Sequence, residues 1–194
     1  YDGTGHRIKG LAINRSDEYA FNAGLFGYVN ATATICNLGV ESASPLAIRS
    51  YSGGFVGANA GIIKNCYAKV DVSSYSGSAI FKVAGGFAGR NEGTIDSCFS
   101  LGSVNSDEQI GAFCGLNLGK IKNSFALKSA TATTFLGSGA TPESNYLFAD
   151  QASMNGFDYS TCLSSDDWLC SLGALPQLKN TLDLYFVMGI ALNQ

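Results

Sequence analysis

The frame G-x-N-x-G-x-I occurs three times in the middle of this chain, and a repeated frame of that length constrains the fold more than any other feature of the sequence. The copies are GGFVGANAGIIKNCYAKV from Gly53, GGFAGRNEGTIDSCFSLGSV from Gly85 and GAFCGLNLGKIKNSFALKSA from Gly111. Weaker copies flank them. AGLFGYVNATATICNLGV from Ala23 keeps Gly27 and Ile35, GHRIKGLAI near the start supplies Ile8 in the isoleucine place, and TPESNYLFAD puts Tyr146 in an aromatic place. The isoleucines Ile8, Ile35, Ile63, Ile95 and Ile121 then step by 27, 28, 32 and 26 residues, a period that fits a solenoid built from one supersecondary unit per repeat.

Composition decides which kind of solenoid. Glycine accounts for 24 of 194 residues and proline for only 3, and the repeats carry Phe, Tyr, Val, Ile, Ser and Thr between the glycines. Helical repeats need stretches of about 10–15 residues without glycine, so short strands joined by glycine turns are expected instead. The predicted fold is all-β: a β-solenoid (β-helix) of about five to six coils with an irregular C-terminal cap, with about three strands per coil and coils about 4.8 Å apart. Residues 1–150 are assigned to the repeats and 151–194 to a capping segment of the same domain.

Stacking turns each aligned position into a ladder. Phe55, Phe87 and Phe113 are expected to stack behind Leu25, with Tyr67, Phe99 and Phe125 forming a second aromatic column. Asn59, Asn91 and Asn117 should form an amide ladder, and Ile63, Ile95 and Ile121 an aliphatic one. The residues after the isoleucines, Lys9, Cys36, Lys64, Asp96 and Lys122, form a column in which Lys64, Asp96 and Lys122 alternate in sign. The longest interval contains SSYSGSAIFKVA, predicted to bulge as an edge loop whose Tyr75, Ser76 and Ser78 are the candidate ligand-binding residues.

The same residues resemble the GLUG motif, a bacterial surface-protein repeat of the pattern G-G-L-V-G-x-N-x-G-x-I-x-N-S/C-Y-A. The match is close over Gly53–Ala68 and Gly85–Ser100 and good over Gly111–Ala126. Tyr1 to Ile13 is similar to the coil that commonly precedes such repeats, and Phe157 to Lys179 to a segment that often follows them. Ala112 replaces the second glycine, Ser124 replaces the cysteine, and the last copy lacks the Asn. The resemblance implies a secreted or surface-attached β-helical module of large adhesin-like proteins, also found beside peptidase domains in immunoglobulin A peptidases. It supplies no catalytic residues.

Little else in the sequence points to chemistry. Net charge is −3, from 12 Lys+Arg and 15 Asp+Glu, and the pI is near 5.0, which argues against a nucleic-acid partner. No apolar run reaches about 18 residues, so no membrane span is expected. YDGTGHRIKG lacks the architecture of a signal peptide, so the chain is expected to be mature, trimmed or cut from something longer. His6 is the only histidine, which leaves no multi-histidine metal site, and it is read as a turn residue. The pairs Asp17-Glu18, Asp107-Glu108 and Asp166-Asp167 are read as solvated carboxylates and lack calcium-loop spacing. Asn14 and Asn30 begin glycosylation sequons.

Six cysteines fit an oxidising compartment if paired. Cys66 and Cys98 share a rung and are read as buried thiols, whereas Cys162 and Cys170 in the tail are a candidate disulfide. The apolar TLDLYFVMGIALNQ from Thr181 is too short to span a membrane; capping an open solenoid end is preferred over strand addition to a neighbouring copy.

The expectation is therefore a non-catalytic, secreted or cell-surface adhesive or structural module. It would bind a glycan or protein ligand on a cell or matrix surface through edge loops, in company with further domains or copies of the same chain. No cofactor and no metal is expected. The alternatives are a β-helical polysaccharide lyase or hydrolase, which needs Asp, Arg and Lys clustered from consecutive coils, and a filament subunit assembling end to end.

Overall fold

The computed structural model describes residues 1–13, 22–48, 50–74, 82–106, 108–179 and 183–185. Within them the chain winds as a β-solenoid of four full turns with partial coils at both ends. A representative turn runs through Tyr51–Gly53, Val56–Asn59, Ile62–Lys69 and Val72–Ser74. It therefore has four strands where three were expected, because Gly53 and Phe55 stand at a corner that splits the first strand from the second. Turn on turn, these strands pair in parallel. Val83–Gly85 lies in register on Tyr51–Gly53, Ala88–Asn91 on Val56–Asn59, and Thr94–Asp96 on the first part of Ile62–Lys69.

The glycines of the motif sit where coils touch. A Cβ at Gly85 would lie 2.1 Å from Ala88 O, inside the corner. One at Gly93 would lie 2.0 Å from Gly61 O, the equivalent glycine one coil away. Neither approach leaves room for a side chain.

The polar residue two places after the isoleucine sets the phase of the long strand. Asn37, Asn65, Ser97 and Asn123 have φ of 55°, 52°, 55° and 49°, one in each turn. Asparagine tolerates this left-handed conformation better than most residues. The kink resets the alternation of the strand, so that Ile63, Cys66 and Ala68 all join the interior core while Tyr67 points to the outer face. The run I-x-N-C-Y-A is thus one strand bent once.

The interior is a set of stacks. The rings of Phe55 and Phe87, Phe87 and Phe113, and Phe113 and Phe135 lie 4.8, 5.0 and 4.8 Å apart and within 8° of parallel. Phe135 extends the predicted column by one rung, and Phe26 meets Phe55 at the other end at 5.5 Å and 49°. Ile35, Ile63, Ile95 and Ile121 pair in register. Asn59 Nδ2 donates to Asn91 Oδ1 and Asn91 Nδ2 to Asn117 Oδ1, each at 2.8 Å, in a fully buried file. Asn117 Nδ2 closes the file on Ala140 O.

Ile8 does not continue the isoleucine ladder. The first strand, Asp2–Lys9, carries two extra residues between Asp2, opposite Cys36, and His6, opposite Leu38. They are absorbed where Thr4 and Gly5 take φ of 49° and 80°. Ile8 therefore pairs with Val40, and Lys9 with Glu41 rather than with the Cys36–Lys64–Asp96 column. Spacing by period alone could not detect the insertion, since 27 residues is within the range of the other steps.

The segment after the last coil returns along the outside of the solenoid. A short helix, Gln151–Asn155, is capped by Asp150, whose carboxylate accepts from Ser153 N. Asp158 caps the turn Tyr159–Thr161 in the same way through Ser160 N. Trp168–Leu169 then forms an antiparallel pair with Gln177–Leu178. Tyr159 packs edge-on to Phe125 at 5.0 Å, and Trp168 packs on Phe99 at 5.4 Å. With Met154, Leu163 and Leu178, they bury the outer column Tyr67–Phe99–Phe125 in a second core. This strap runs opposite to the direction of winding. Its last described residues, Asp183–Tyr185, add a parallel strand to Arg7–Lys9 at the first coil.

Candidate ligand-binding groove

The sequence-derived ligand residues Tyr75, Ser76 and Ser78 lie outside the described residues, as do Asp17, Glu18 and Asp107. The other candidates have structural surroundings. His6 Nδ1 sits 2.7 Å from Thr4 Oγ1 and 2.8 Å from Gly3 O, holding the bulged turn of the first strand. Glu108 Oε2 accepts from Lys82 N. Asp167 O accepts from Lys179 N across the strap hairpin. In the alternating column, Lys122 Nζ meets Asp96 Oδ2 at 3.1 Å on the surface, a contact worth under about 1 kcal/mol.

All six cysteines are free thiols. Cys162 and Cys170, the candidate disulfide of the tail, are two half-buried thiols that pack against the strap core in this structure. Cys162 Sγ donates to Tyr159 O. Burial pushes both thiols above their ordinary pKa, and the charge of Cys162 adds to the rise at Cys170. Inside the solenoid Cys66 Sγ donates to Lys64 O and Cys98 Sγ to Asp96 O. Cys114 is pushed up to about 12 by burial. These are space-filling thiols, as reading Cys66 and Cys98 as core residues anticipates.

Docking the strap creates a groove of about 540 Å³ against the long sheet. From the solenoid come Arg7, Glu41, Tyr67, Lys69 and Leu101, and from the strap Gln151, Leu175, Pro176 and Gln177. Parallel register brings the charged groups together. Lys9, Glu41 and Lys69 stand opposite one another on consecutive coils, and Arg7, Gly39 and Tyr67 form the column two residues before them. Gly39 is required beneath Tyr67, since a Cβ there would lie 2.2 Å from the ring.

Glu41 is the hub. Its Oε1 accepts from Tyr67 Oη at 2.9 Å and meets Arg7 Nη1 at 3.4 Å. Burial first, and the Glu41 charge second, hold the Tyr67 phenol well above its ordinary pKa, so it stays protonated and acts as a donor near neutral pH. Lys69 is exposed at the rim and has no ion pair among the described residues. Leu101, Leu175 and Pro176 give the groove an apolar floor, and the amides of Gln151 and Gln177 stand at its edge. A neutral-to-cationic groove with paired donors and acceptors can hold a polar ligand in one orientation.

Sequence reasoning missed this cluster. Its signal was the interval of 28 residues from Glu41 to Lys69, the same as from Ile35 to Ile63. Placing Ile8 opposite Ile35 moved Arg7 and Lys9 five residues out of register, which hid the convergence.

Among known families, the model of the GLUG motif matches residues 49–73, the turn through Tyr51–Gly53, Val56–Asn59, Ile62–Lys69 and Val72–Ser74. No curated protein and no solved structure matches the chain. The turn that matches the GLUG motif is therefore one coil of a β-solenoid, with copies of it stacked in register on both sides, as in a repeat of that motif.

Proposed function

We propose that this β-helical repeat module is a non-catalytic adhesive element of a secreted or cell-surface protein. It would bind a glycan or protein ligand on a cell or matrix surface at the edges and flank of a rigid stack. The observation that carries this reading is the way the repeat uses the side chains that recur from coil to coil. The Asn, Phe and Ile files are spent on holding coil to coil, which supports a scaffold whose contacts are made by whatever stands outside the files.

A lyase or hydrolase reading calls for a base or acid at the Arg7–Glu41–Tyr67–Lys69 cluster. Tyr67 donates a hydrogen bond to Glu41 and is held protonated by burial, which favours binding over bond cleavage there. A filament reading calls for a tail strand given to a neighbour, and Asp183–Tyr185 lies on this chain's own first coil. Among the described residues no helix is long and apolar enough to cross a membrane.

The test is binding of the purified chain to a panel of glycans, matrix proteins and cells, with mass spectrometry of the supernatant for cleaved products. Saturable binding without products is the expected result. Released oligosaccharides would overturn the non-catalytic reading, and absence of binding across the panel would overturn the adhesive one.

A further inference from the structure

We propose that the groove between the strap and the first four coils is a binding site for a linear saccharide that carries a carboxylate, such as a uronate or a sialate. The inference rests on the adhesive reading and assigns it a ligand class and a place. Three observations lead to it.

The first is charge. The protein as a whole is acidic, with net charge −3, yet among the described residues that line this groove Arg7 and Lys69 stand with one carboxylate, Glu41. That carboxylate already accepts the Tyr67 hydrogen bond and meets Arg7. Lys69 is left at the open rim, an ammonium placed to meet an incoming anion.

The second is the lining. Leu101, Leu175 and Pro176 give the lining an apolar part against which the C–H face of a sugar ring can pack. Gln151 and Gln177 offer amide donors and acceptors at the edge, which suits hydroxyl groups that both give and accept hydrogen bonds. About 540 Å³ admits a short oligosaccharide segment.

The third observation separates a saccharide from a peptide. The groove lies on the face of the long sheet, where the strand bearing Tyr67 is paired on one side with that of Gly39 and on the other with that of Phe99. Among the described residues the long sheet presents no free strand edge here, and the strap strand Gln177–Leu178, paired only with Trp168–Leu169, is two residues long, too short to hold a peptide by strand addition. Recognition must come from side chains.

Calorimetric titration of the full chain with four probes tests this: tetragalacturonate, its methyl ester, sialyllactose and neutral maltotetraose. At least one carboxylated probe is expected to bind saturably. Esterified and neutral probes should be at least about tenfold weaker, as the loss of one charged hydrogen bond implies. Lys69→Ala should weaken the bound probe about tenfold, while Lys128→Ala, an exposed lysine away from the groove, should leave it unchanged. Circular dichroism melting checks that both variants fold, and Lys69→Arg should restore binding if Lys69→Ala loses it. Which carboxylated probe binds distinguishes a uronate from a sialate source.

Failure of both carboxylated probes, equal binding of the neutral one, or full binding by Lys69→Ala would overturn the proposal. If Lys69→Ala still adheres to cells or matrix as the parent chain does, the groove assignment falls and the adhesive reading stands. If the parent chain adheres to nothing, both fall.

Discussion

Trp168 Nε1 donates a hydrogen bond to Asn65 Oδ1 at 3.3 Å, joining residues 103 positions apart. Asn65 is the residue whose left-handed φ bends the long strand, and its own Nδ2 donates to Asn37 Oδ1 one coil away. A single side chain therefore kinks a coil, ties it to its neighbour and receives the strap. The outer aromatic column would face water without Trp168, so the solenoid and its tail depend on each other.

Trp168→Ala should cost about 3–5 kcal/mol through the lost buried ring. Trp168→Phe should cost less and separate packing from the hydrogen bond, which is worth about 1 kcal/mol. Urea unfolding measures both. Limited proteolysis should show cleavage between residues 157 and 179 in the alanine variant before any cut in the coils, and resistance there would mean that the strap docks without its tryptophan.

The amide ladder gives a prediction with a pH sign. Asn91→Asp places a carboxyl between Asn59 and Asn117 in a file that is fully buried. Desolvation raises its folded pKa above the unfolded value near 4. Stability is then retained below that value and lost as pH rises through the folded pKa. The variant should be closer to the parent at pH 4 than at pH 7, and the reverse order in thermal melts would contradict the buried ladder.

Cys114 makes the alkaline limb testable. Its folded pKa is pushed up to about 12 by burial from an ordinary 9.0. A raised folded pKa leaves stability intact below pH 9 and erodes it above, by up to about 1.4 kcal/mol per pH unit. Cys114→Ala should flatten denaturation curves taken between pH 9 and 11. In the native parent, alkylation at pH 8 should reach Cys36, Cys162 and Cys170 and spare Cys114 and Cys98.

Gly93→Ala tests the contact between coils. Its new Cβ would meet Gly61 O, a backbone atom that cannot turn away. A loss of about 3 kcal/mol is expected, against a much smaller one for Gly156→Ala, where the nearest atom is 3.5 Å off. Chemical denaturation of the two variants makes the comparison.

The architecture was readable because the motif's residues touch their own copies. Asn59 meets Asn91, Phe55 meets Phe87 and Ile63 meets Ile95, so aligning the sequence with itself amounts to predicting contacts. What failed to show had no copy to align with. The two inserted residues before His6 shift the first coil without altering the period. The strap recurs nowhere in the chain, and its place on Tyr67, Phe99 and Phe125 follows from that column pointing outward after a kink at Asn65. The groove needed both facts, because half of its lining comes from the misregistered coil and its partner strands and half from the strap.

The in-register stack is tested most directly by nuclear Overhauser contacts between selectively labelled phenylalanine rings. The account predicts cross-peaks from Phe87 to both Phe55 and Phe113, at ring separations of 4.8 and 5.0 Å. Cross-peaks from Phe87 only to residues nearby in sequence, with none to Phe55 or Phe113, would contradict the solenoid.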